Sequence, residues 1–246
     1  MNQKILVALT TYAGDIEQRL ILKKVIRHLR AKNGNDVFLL VISDGFIKDK
    51  AVHNLADIVL SREGPKGLQE GELESISKMI AFAKAHQFKK LIKIAGDVIM
   101  TEPNWAKKIM KVFEAKKVNL LSTHWNDDNS WIVGTKFFVA DVNFIEKTIP
   151  KSLKGEYLEN AFTRRITKYF KIKKFVYLIN STTGYRNEVK NELKNWGWEH
   201  SHRINKFIYL DEYLSHKEKF FNRLILYPSL KAKREINRLI KKILKN

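Results

Sequence analysis

Two aspartates that close apolar runs are the first candidates for chemistry. Asp44 follows the apolar run 37–42, and Asp97 stands between the apolar runs 91–94 and 98–100. Either aspartate could serve only as a helix cap, because Asp is common at strand-to-helix turns. Asp97 differs in that an anionic side chain inside an apolar segment needs a cation or hydrogen bonds. Since ligands of open α/β sheets bind beyond the carboxyl ends of the strands, both aspartates are predicted at a ligand-binding edge.

The sequence lacks a glycine-rich phosphate-binding loop. No G-x-G-x-x-G follows the first apolar run, and no G-x-x-x-x-G-K-[ST] occurs anywhere. A dinucleotide-dependent dehydrogenase and a P-loop nucleotide hydrolase are therefore both disfavoured. The phosphates of a ligand would instead be neutralised by a metal on Asp97 and by basic side chains.

The elements that must position these residues alternate along the chain. Short, uniformly apolar runs are typical of strands in a parallel sheet covered on both faces, and segments of helical apolar spacing lie between them. The predicted strands are 5–9, 37–42, 56–60, 91–94, 118–122, 131–140 and 175–179. The predicted helices are 16–29, 69–86, 105–115 and 158–170. We therefore predict the α/β class, with a Rossmann-type, mostly parallel sheet and helices on both faces.

Composition and charge limit the class of protein. The 246 residues, 44% of them hydrophobic, can build one domain with an appendage. The absence of cysteine excludes disulfides, thiolate metal sites and cysteine nucleophiles. The net charge of +20 favours anionic partners, and +14 of it lies in residues 151–246. We predict one domain over residues 1–210 and a basic amphipathic helical tail over residues 211–246.

The tail has an apolar stripe beside many basic residues. Residues 217–246 contain ten Lys or Arg against two Glu, and the stripe consists of Ile236, Leu239, Ile240, Ile243 and Leu244. Such a helix packs on its domain, binds nucleic acid, or lies in the plane of an anionic membrane surface, and these three alternatives stay open. No signal peptide is readable, and no run approaches the roughly 20 apolar residues of a membrane span. We expect a cytoplasmic protein, peripheral on the inner face of the cytoplasmic membrane.

The motifs over residues 4–165 resemble those of GT-A fold glycosyltransferases of bacterial lipopolysaccharide and capsule assembly. The resemblance rests on Leu9-Thr10-Thr11-Tyr12, on Ser43-Asp44-Gly45 and on Leu91-Ile92-Lys93-Ile94-Ala95-Gly96-Asp97-Val98. It implies transfer of a sugar, with inversion, from a nucleotide-sugar donor to a glycan or lipid-linked acceptor.

The same resemblance implies a metal cofactor, Mn²⁺ or Mg²⁺. The family's Asp-x-Asp motif reads Ala95-Gly96-Asp97 here, so only its last aspartate is present. A divalent cation would stabilise the charge that develops on the leaving diphosphate. A histidine late in the chain often completes the metal shell in the family, and His200 and His202 are the predicted partners of Asp97. Exposed loop histidines beside aromatic packing are the alternative for this pair.

The resemblance also implies a general base near the start of a helix. Glu156 and Glu159 lie in that region, at a spacing that predicts a shared helical face, and Glu159 is preferred. Glutamates in a first helical turn are also favoured by the helix dipole alone, so a capping role stays open. Asp127 and Asp128 are lesser candidates.

Other predicted donor contacts come from loops at the same edge. Thr10, Thr11, Tyr12 and Asp44 are expected around the base and ribose. Basic side chains are expected near the phosphates, namely Arg62, Lys66 and Lys93. Trp125 or Trp131 could stack on a sugar ring, although buried tryptophans more often belong to a core.

Two other functions compete with sugar transfer. A nucleic-acid-binding protein would explain the basic charge, but the sequence has no helix-turn-helix, zinc or RNP signature. A non-catalytic, degenerate member of the same fold would explain the missing first aspartate.

Overall fold

The computed structural model describes residues 4–12, 16–100, 102–127, 130–169, 176–180 and 198–200. These residues belong to one compact unit, residues 1–200. The predicted tail, residues 211–246, lies outside the described residues, as do His202 and Asp128. No helix among the described residues is both long and apolar enough to cross a membrane.

A seven-stranded mixed sheet forms the centre of the unit. Its strands lie in the order β3-β2-β1-β4-β7-β6-β8, and β7 is the antiparallel member of the sheet. The strands are β1 Ile5–Thr11, β2 Val37–Ser43, β3 Ile58–Ser61, β4 Lys90–Ala95, β6 Leu120–Asp127, β7 Ser130–Asp141 and β8 Val176–Asn180. Two three-residue strands, β5 Val98–Met100 and β9 Trp198–His200, pair separately.

Helices cover both faces of the sheet. They are α1 Ile16–Asn33, α2 Lys50–Leu55, α3 Leu68–Ala85, α4 Trp105–Lys116, α5 Val142–Thr148 and α6 Leu158–Tyr169. On one face α3, α5 and α6 pack together with strand residues such as Leu6, Leu91 and Phe138. Strand residues alternate between faces, and α1 and α4 pack together on the other side. The prediction of a mostly parallel α/β sheet covered on both faces is confirmed.

Strand β7 contains a wide bulge opposite β6. Ser122 pairs with Phe138 and His124 pairs with Val133, so β6 advances by two residues where β7 advances by five. Buried hydroxyls of β6 bond the carbonyls of the bulge: Ser122 donates to the carbonyl of Gly134 at 2.8 Å, and Ser122 and Thr123 donate to that of Phe137. The bulge therefore has fixed hydrogen-bond partners, and such features are common next to functional sites.

The structure corrects several predicted boundaries. The strand predicted at 56–60 begins at Ile58, because α2 extends to Leu55 and Ala56 is its C-cap. The segments 142–148 and 98–100, for which no element was predicted, form α5 and β5. Short elements of this kind give little periodic signal in the sequence.

Candidate active site

The carboxyl ends of β1, β2 and β4 are tied together by their backbones. The Asp44 N–H donates to the Thr11 carbonyl at 2.9 Å, and the Gly96 N–H donates to the Thr10 carbonyl at 2.7 Å. A Cβ atom on Gly96 would lie 2.5 Å from the Thr11 hydroxyl oxygen. Residue 96 is therefore confined to glycine, and Asp97 is held beside the end of β1. The predicted donor residues Thr10 and Thr11 line this same edge, and the side chain of Tyr12 is 40% exposed there.

Asp44 is buried and caps helix α3. Its carboxylate accepts the backbone N–H groups of Lys66 and Gly67, which end the loop before the helix, at 3.0 to 3.1 Å. The helix leaves room for it at Gly71, where a Cβ atom would lie 1.9 Å from Asp44 Oδ2. A carboxylate at a helix N-terminus is stabilised by the free N–H groups and the helix dipole. Asp44 thus has a structural role, and its contact with a ribose stays a prediction.

The predicted phosphate-binding residues Arg62 and Lys66 share one carboxylate, that of Glu74. Glu74 lies 2.9 Å from Arg62, 2.6 Å from Lys66 and 2.8 Å from Lys78. Hydrogen bonds from Lys66 and then Lys78 lower the pKa of Glu74 to about 2. This cluster of cations therefore already has an internal counter-ion, and a phosphate would have to compete with Glu74.

Asp97 lies between β4 and β5 and has a lysine beside it. Its Oδ2 is 4.0 Å from the Nζ atom of Lys136, which belongs to the bulge of β7. Strand β9 pairs antiparallel with β5 so that His200 is opposite Val98, the residue that follows Asp97. The backbone thus brings together two of the predicted metal-binding positions, although the side chain of His200 lies outside what the structure describes.

The described residues include one candidate metal ligand, Asp97. Asp97 can supply one oxygen ligand of the kind that Mg²⁺ and Mn²⁺ prefer. Within the described ranges no group of three His, Asp or Glu side chains could hold a metal. Asp97 is one suitable ligand, and further ligands would come from residues such as His200 and His202 or from the donor.

Lys93 is a buried lysine, which corrects its predicted place among the residues open to a ligand. Its side chain is fully buried, and Nζ donates to Glu72 Oε1 at 2.6 Å and to the Thr135 carbonyl at 2.5 Å. A buried ammonium requires such partners because leaving it unpaired costs several kcal/mol. Lys93 therefore ties α3 and β4 to the bulge of β7.

The bulge also presents Lys136 and Thr135 to the site. Burial lowers the pKa of Lys136 below its usual value, while the charges of Asp97 and Glu72 oppose that shift. The Thr135 hydroxyl donates to Glu159 Oε1 at 2.9 Å. The bulge of β7 thus reaches two carboxylates. Thr135 contacts Glu159, in the first turn of α6, and Lys136 lies near Asp97.

The two predicted base candidates have different surroundings. Helix α6 begins at Leu158, so Glu156 lies in the preceding turn and the two glutamates do not share a helical face as predicted. Glu156 forms an exposed ion pair with Arg164, whereas Glu159 reaches the bulge of β7. Glu159 is therefore the candidate that adjoins the charged cluster around Asp97.

The predicted aromatic contacts are located only by their backbones. Residues 124–127 form the end of β6, which is parallel to β4, so Trp125 and Asp127 lie toward the same edge of the sheet as Asp97. The side chains of Trp125 and Trp131 lie outside the described residues, and their stacking on a sugar stays a prediction.

Sequence reasoning missed Glu72, Thr135 and Lys136. Lys93 could have indicated a partner such as Glu72, because a lysine in the middle of an apolar strand requires a buried hydrogen-bond acceptor. Nothing in the pattern of residues 130–141 fixed where the bulge would fall.

The sheet and helices of the described residues have a known fold. It is the GT-A and nucleotidyltransferase-like fold. Solved structures share this fold over most of the length of the chain. No protein-family model matches the sequence, and no curated protein matches it significantly.

Three solved structures illustrate the similarity. A protein assigned as a nucleotide-diphospho-sugar transferase of Desulfovibrio desulfuricans has a TM-score of 0.52 and 10% identity, over 96% of each chain. A cytidylyltransferase of Leptospira borgpetersenii has a TM-score of 0.54 and 13% identity, over 91% of this chain and 93% of that one. Glucosyl-3-phosphoglycerate synthase of Mycobacterium tuberculosis, solved with Mn²⁺, UDP and glucosyl-3-phosphoglycerate, has a TM-score of 0.52 and 14% identity, over 78% of this chain and 75% of that one.

Proposed function

We propose that this protein transfers a sugar from a nucleotide-sugar donor to a hydroxyl of an acceptor. The observation that carries the proposal is the single edge of the sheet that holds Asp97 at the end of β4 and Glu159 beside the bulge of β7. At this edge Asp97 can hold a cation against the donor's diphosphate, and Glu159 can take a proton from the acceptor hydroxyl. The shared fold, with its nucleotide-sugar and nucleotide-dependent relatives, supports the same class of substrate.

In the proposed reaction Glu159 is the general base. Its carboxylate takes the proton of the acceptor hydroxyl as the oxygen forms a bond to the anomeric carbon of the sugar. The bond from that carbon to the diphosphate breaks, and the electron pair leaves with the nucleoside diphosphate. Attack from the face opposite the diphosphate inverts the anomeric configuration. The Thr135 hydroxyl, 2.9 Å from Glu159 Oε1, holds the carboxylate in place.

A divalent cation, Mn²⁺ or Mg²⁺, is part of this proposal. Asp97 would hold it together with His200 or His202, and when bound it stabilises negative charge on the diphosphate. The glucosyl-3-phosphoglycerate synthase solved with Mn²⁺ and UDP supports the use of a metal on this fold.

The acceptor proposed is a glycan or lipid-linked sugar of bacterial surface polysaccharide assembly. The charge of +14 over residues 151–246 supports a location in the cytoplasm on an anionic membrane surface. Deletion of the residues after Leu214 tests this location: the shortened protein should move from the membrane to the soluble fraction without losing activity in lysate. Unchanged membrane association would contradict the role of the tail.

The reaction class is tested by ligand binding followed by product analysis. A thermal-shift screen of nucleotides and nucleotide sugars, with and without Mn²⁺, should show a rise in melting temperature for a nucleotide sugar. Incubation with that donor and candidate acceptors should then release a nucleoside diphosphate. Release of pyrophosphate from a nucleoside triphosphate and a sugar phosphate would instead indicate cytidylyltransferase-like chemistry.

Two other outcomes would favour the competing functions. Binding of random duplex or single-stranded nucleic acid in moderate salt, without nucleotide-sugar binding, would favour a nucleic-acid-binding protein. Donor binding without any turnover would favour a non-catalytic protein.

A further inference from the structure

Lys136 is a cation placed where the donor's diphosphate is proposed to lie. Its Nζ atom is 4.0 Å from Asp97 Oδ2, and the position that would hold a second carboxylate of the motif is Ala95. The site therefore has a fixed positive charge beside its motif carboxylate. At 4.0 Å the contact between these two groups is electrostatic rather than a direct hydrogen bond.

The basic residues around the site differ in how they are engaged. Lys93 is fully buried and bonds Glu72 and the Thr135 carbonyl, while Arg62 and Lys66 lie within 2.9 Å of Glu74. The side chain of Lys136 is 38% exposed, between the 27% of Arg62 and the 52% of Lys66. A ligand at the carboxyl edge can therefore reach Lys136, whereas Lys93 has no surface to offer.

The backbone around Lys136 is fixed from several sides. Ser122 donates to the Gly134 carbonyl, Lys93 donates to the Thr135 carbonyl, and Ser122 and Thr123 donate to the Phe137 carbonyl. Three backbone carbonyls next to the residue, those of Gly134, Thr135 and Phe137, thus accept hydrogen bonds from buried side chains. A charge held on such a support is preorganised, because little reorganisation is needed when a ligand arrives.

We propose that Lys136 binds the diphosphate of the nucleotide-sugar donor and neutralises the charge that develops on it as the sugar leaves. The inference rests on the proposed function and adds a residue to it. An ammonium group donates charge-assisted hydrogen bonds to phosphate oxygens, so Lys136 contributes this charge whether or not a metal is bound. The residue should then distinguish a nucleoside diphosphate from the matching monophosphate, since only the former extends to this position.

Binding of nucleotides in EDTA tests the inference without relying on activity. The full chain is titrated calorimetrically with UDP, GDP, CDP and ADP and with the four monophosphates, and the base bound most tightly is used for the variants. The unmodified chain should bind the diphosphate at least about tenfold more tightly than the monophosphate. Lys136→Met should bring the two affinities within about twofold and leave the monophosphate affinity unchanged.

Matched variants separate charge from folding. Lys136→Gln should behave like Lys136→Met, and Lys136→Arg, which keeps the charge, should keep most of the preference for diphosphate. Lys90→Met removes a lysine at the opposite end of the neighbouring strand, where it pairs with Glu114, and should bind both nucleotides like the unmodified chain. Thermal melting of each variant shows whether it is folded. If Lys136→Met does not fold, the nucleotide affinities of Lys136→Gln and Lys136→Arg test the inference.

The possible failures are distinguishable. If Lys136→Met and Lys136→Gln fold and keep the full preference for diphosphate, the inference is wrong while the proposed function stands. The same conclusion follows if the unmodified chain prefers diphosphate only when Mn²⁺ is present. If no nucleotide or nucleotide sugar binds with or without Mn²⁺, the proposed function fails and the role of Lys136 fails with it.

Discussion

The hydroxyl of Thr135 donates a 2.9 Å hydrogen bond to Oε1 of Glu159, which joins the bulge of β7 to the first turn of α6. The same threonine accepts a hydrogen bond from the buried Lys93 through its carbonyl. Thr135 therefore couples a side chain of the proposed chemistry to the interior of the protein. The position of Glu159 depends on this bulge as well as on its own helix.

Glu159→Gln should lower kcat about 10² to 10⁴-fold, because the amide cannot take a proton from the acceptor. The variant should stay folded, since the amide oxygen can still accept from Thr135. Initial-rate kinetics with the donor and acceptor found in the screen measure the effect. Glu156→Gln loses only an exposed ion pair with Arg164, and its kcat should stay within about twofold of the unmodified enzyme. Equal losses in the two variants would contradict the assignment of the base.

Lys93→Met should destabilise the fold by about 2 to 4 kcal/mol, because it leaves the Glu72 carboxylate and the Thr135 carbonyl without their buried donor. Urea unfolding measures the free energy. Lys90→Met, on the same strand, removes an exposed pair with Glu114 and should change stability by less than about 1 kcal/mol. The double variant Lys93→Met with Glu72→Leu should recover part of the loss, because both members of the pair are then apolar. A single variant as stable as Lys90→Met would show that the buried contacts contribute little.

Gly71→Ala tests the packing of Asp44 against α3. Alanine in a helix is ordinarily better than glycine by about 1 kcal/mol, but here its Cβ would lie 1.9 Å from Asp44 Oδ2. The aspartate must move and give up its bonds to Lys66 and Gly67, so we expect a net loss of about 2 to 4 kcal/mol in the free energy of unfolding. Gly64→Ala, in the preceding loop with open space around its Cβ, should change stability by less than about 0.5 kcal/mol. Similar values for both variants would argue against the tight contact.

The sequence was sufficient to predict the parallel strands and the position of Asp97 at the end of β4. Uniformly apolar runs identify buried strands, and the carboxyl ends of those runs identify the ligand-binding edge of the sheet. It was not sufficient for Lys136 or Thr135. Their placement depends on the bulge between Phe138 and Val133, and that register is fixed by hydroxyls of β6, a tertiary feature. The start of α6 at Leu158 agrees with the predicted helix 158–170, and the shared face of Glu156 and Glu159 was wrong because it applied helical spacing to a residue before that start.

The pairing of β5 with β9 was equally inaccessible to sequence patterns. Each strand has three residues, too few for a periodic signal, and their separation along the chain is about one hundred residues. The predicted association of Asp97 with His200 came instead from a resemblance. The register of Val98 with His200 supports that association at the level of the backbone, and the metal assignment stays a prediction.

The buried His28 on α1 should make the fold sensitive to mild acid. Burial, together with the nearby charge of Lys32, lowers the pKa of His28 from 6.5 to about 4, although a backbone hydrogen bond with Met100 opposes the shift. Its Nε2 lies buried with no hydrogen-bond partner among the described residues, so a proton there would add an unsatisfied donor. Between these two pH values the unfolded chain binds a proton that the native protein does not.

Stability should therefore be fully present above about pH 6.5 and should fall as the pH decreases toward 4, by about 3 kcal/mol in total. Urea unfolding at half-unit steps of pH measures this slope. Glu74, whose pKa is lowered from 4.5 to about 2, adds its own loss of stability below about pH 4.5. His28→Gln should remove the slope between pH 6.5 and 4.5, whereas His53→Gln, an exposed histidine, should retain it. If His28→Gln keeps the full slope, another group must accept the proton, because a glutamine at position 28 cannot.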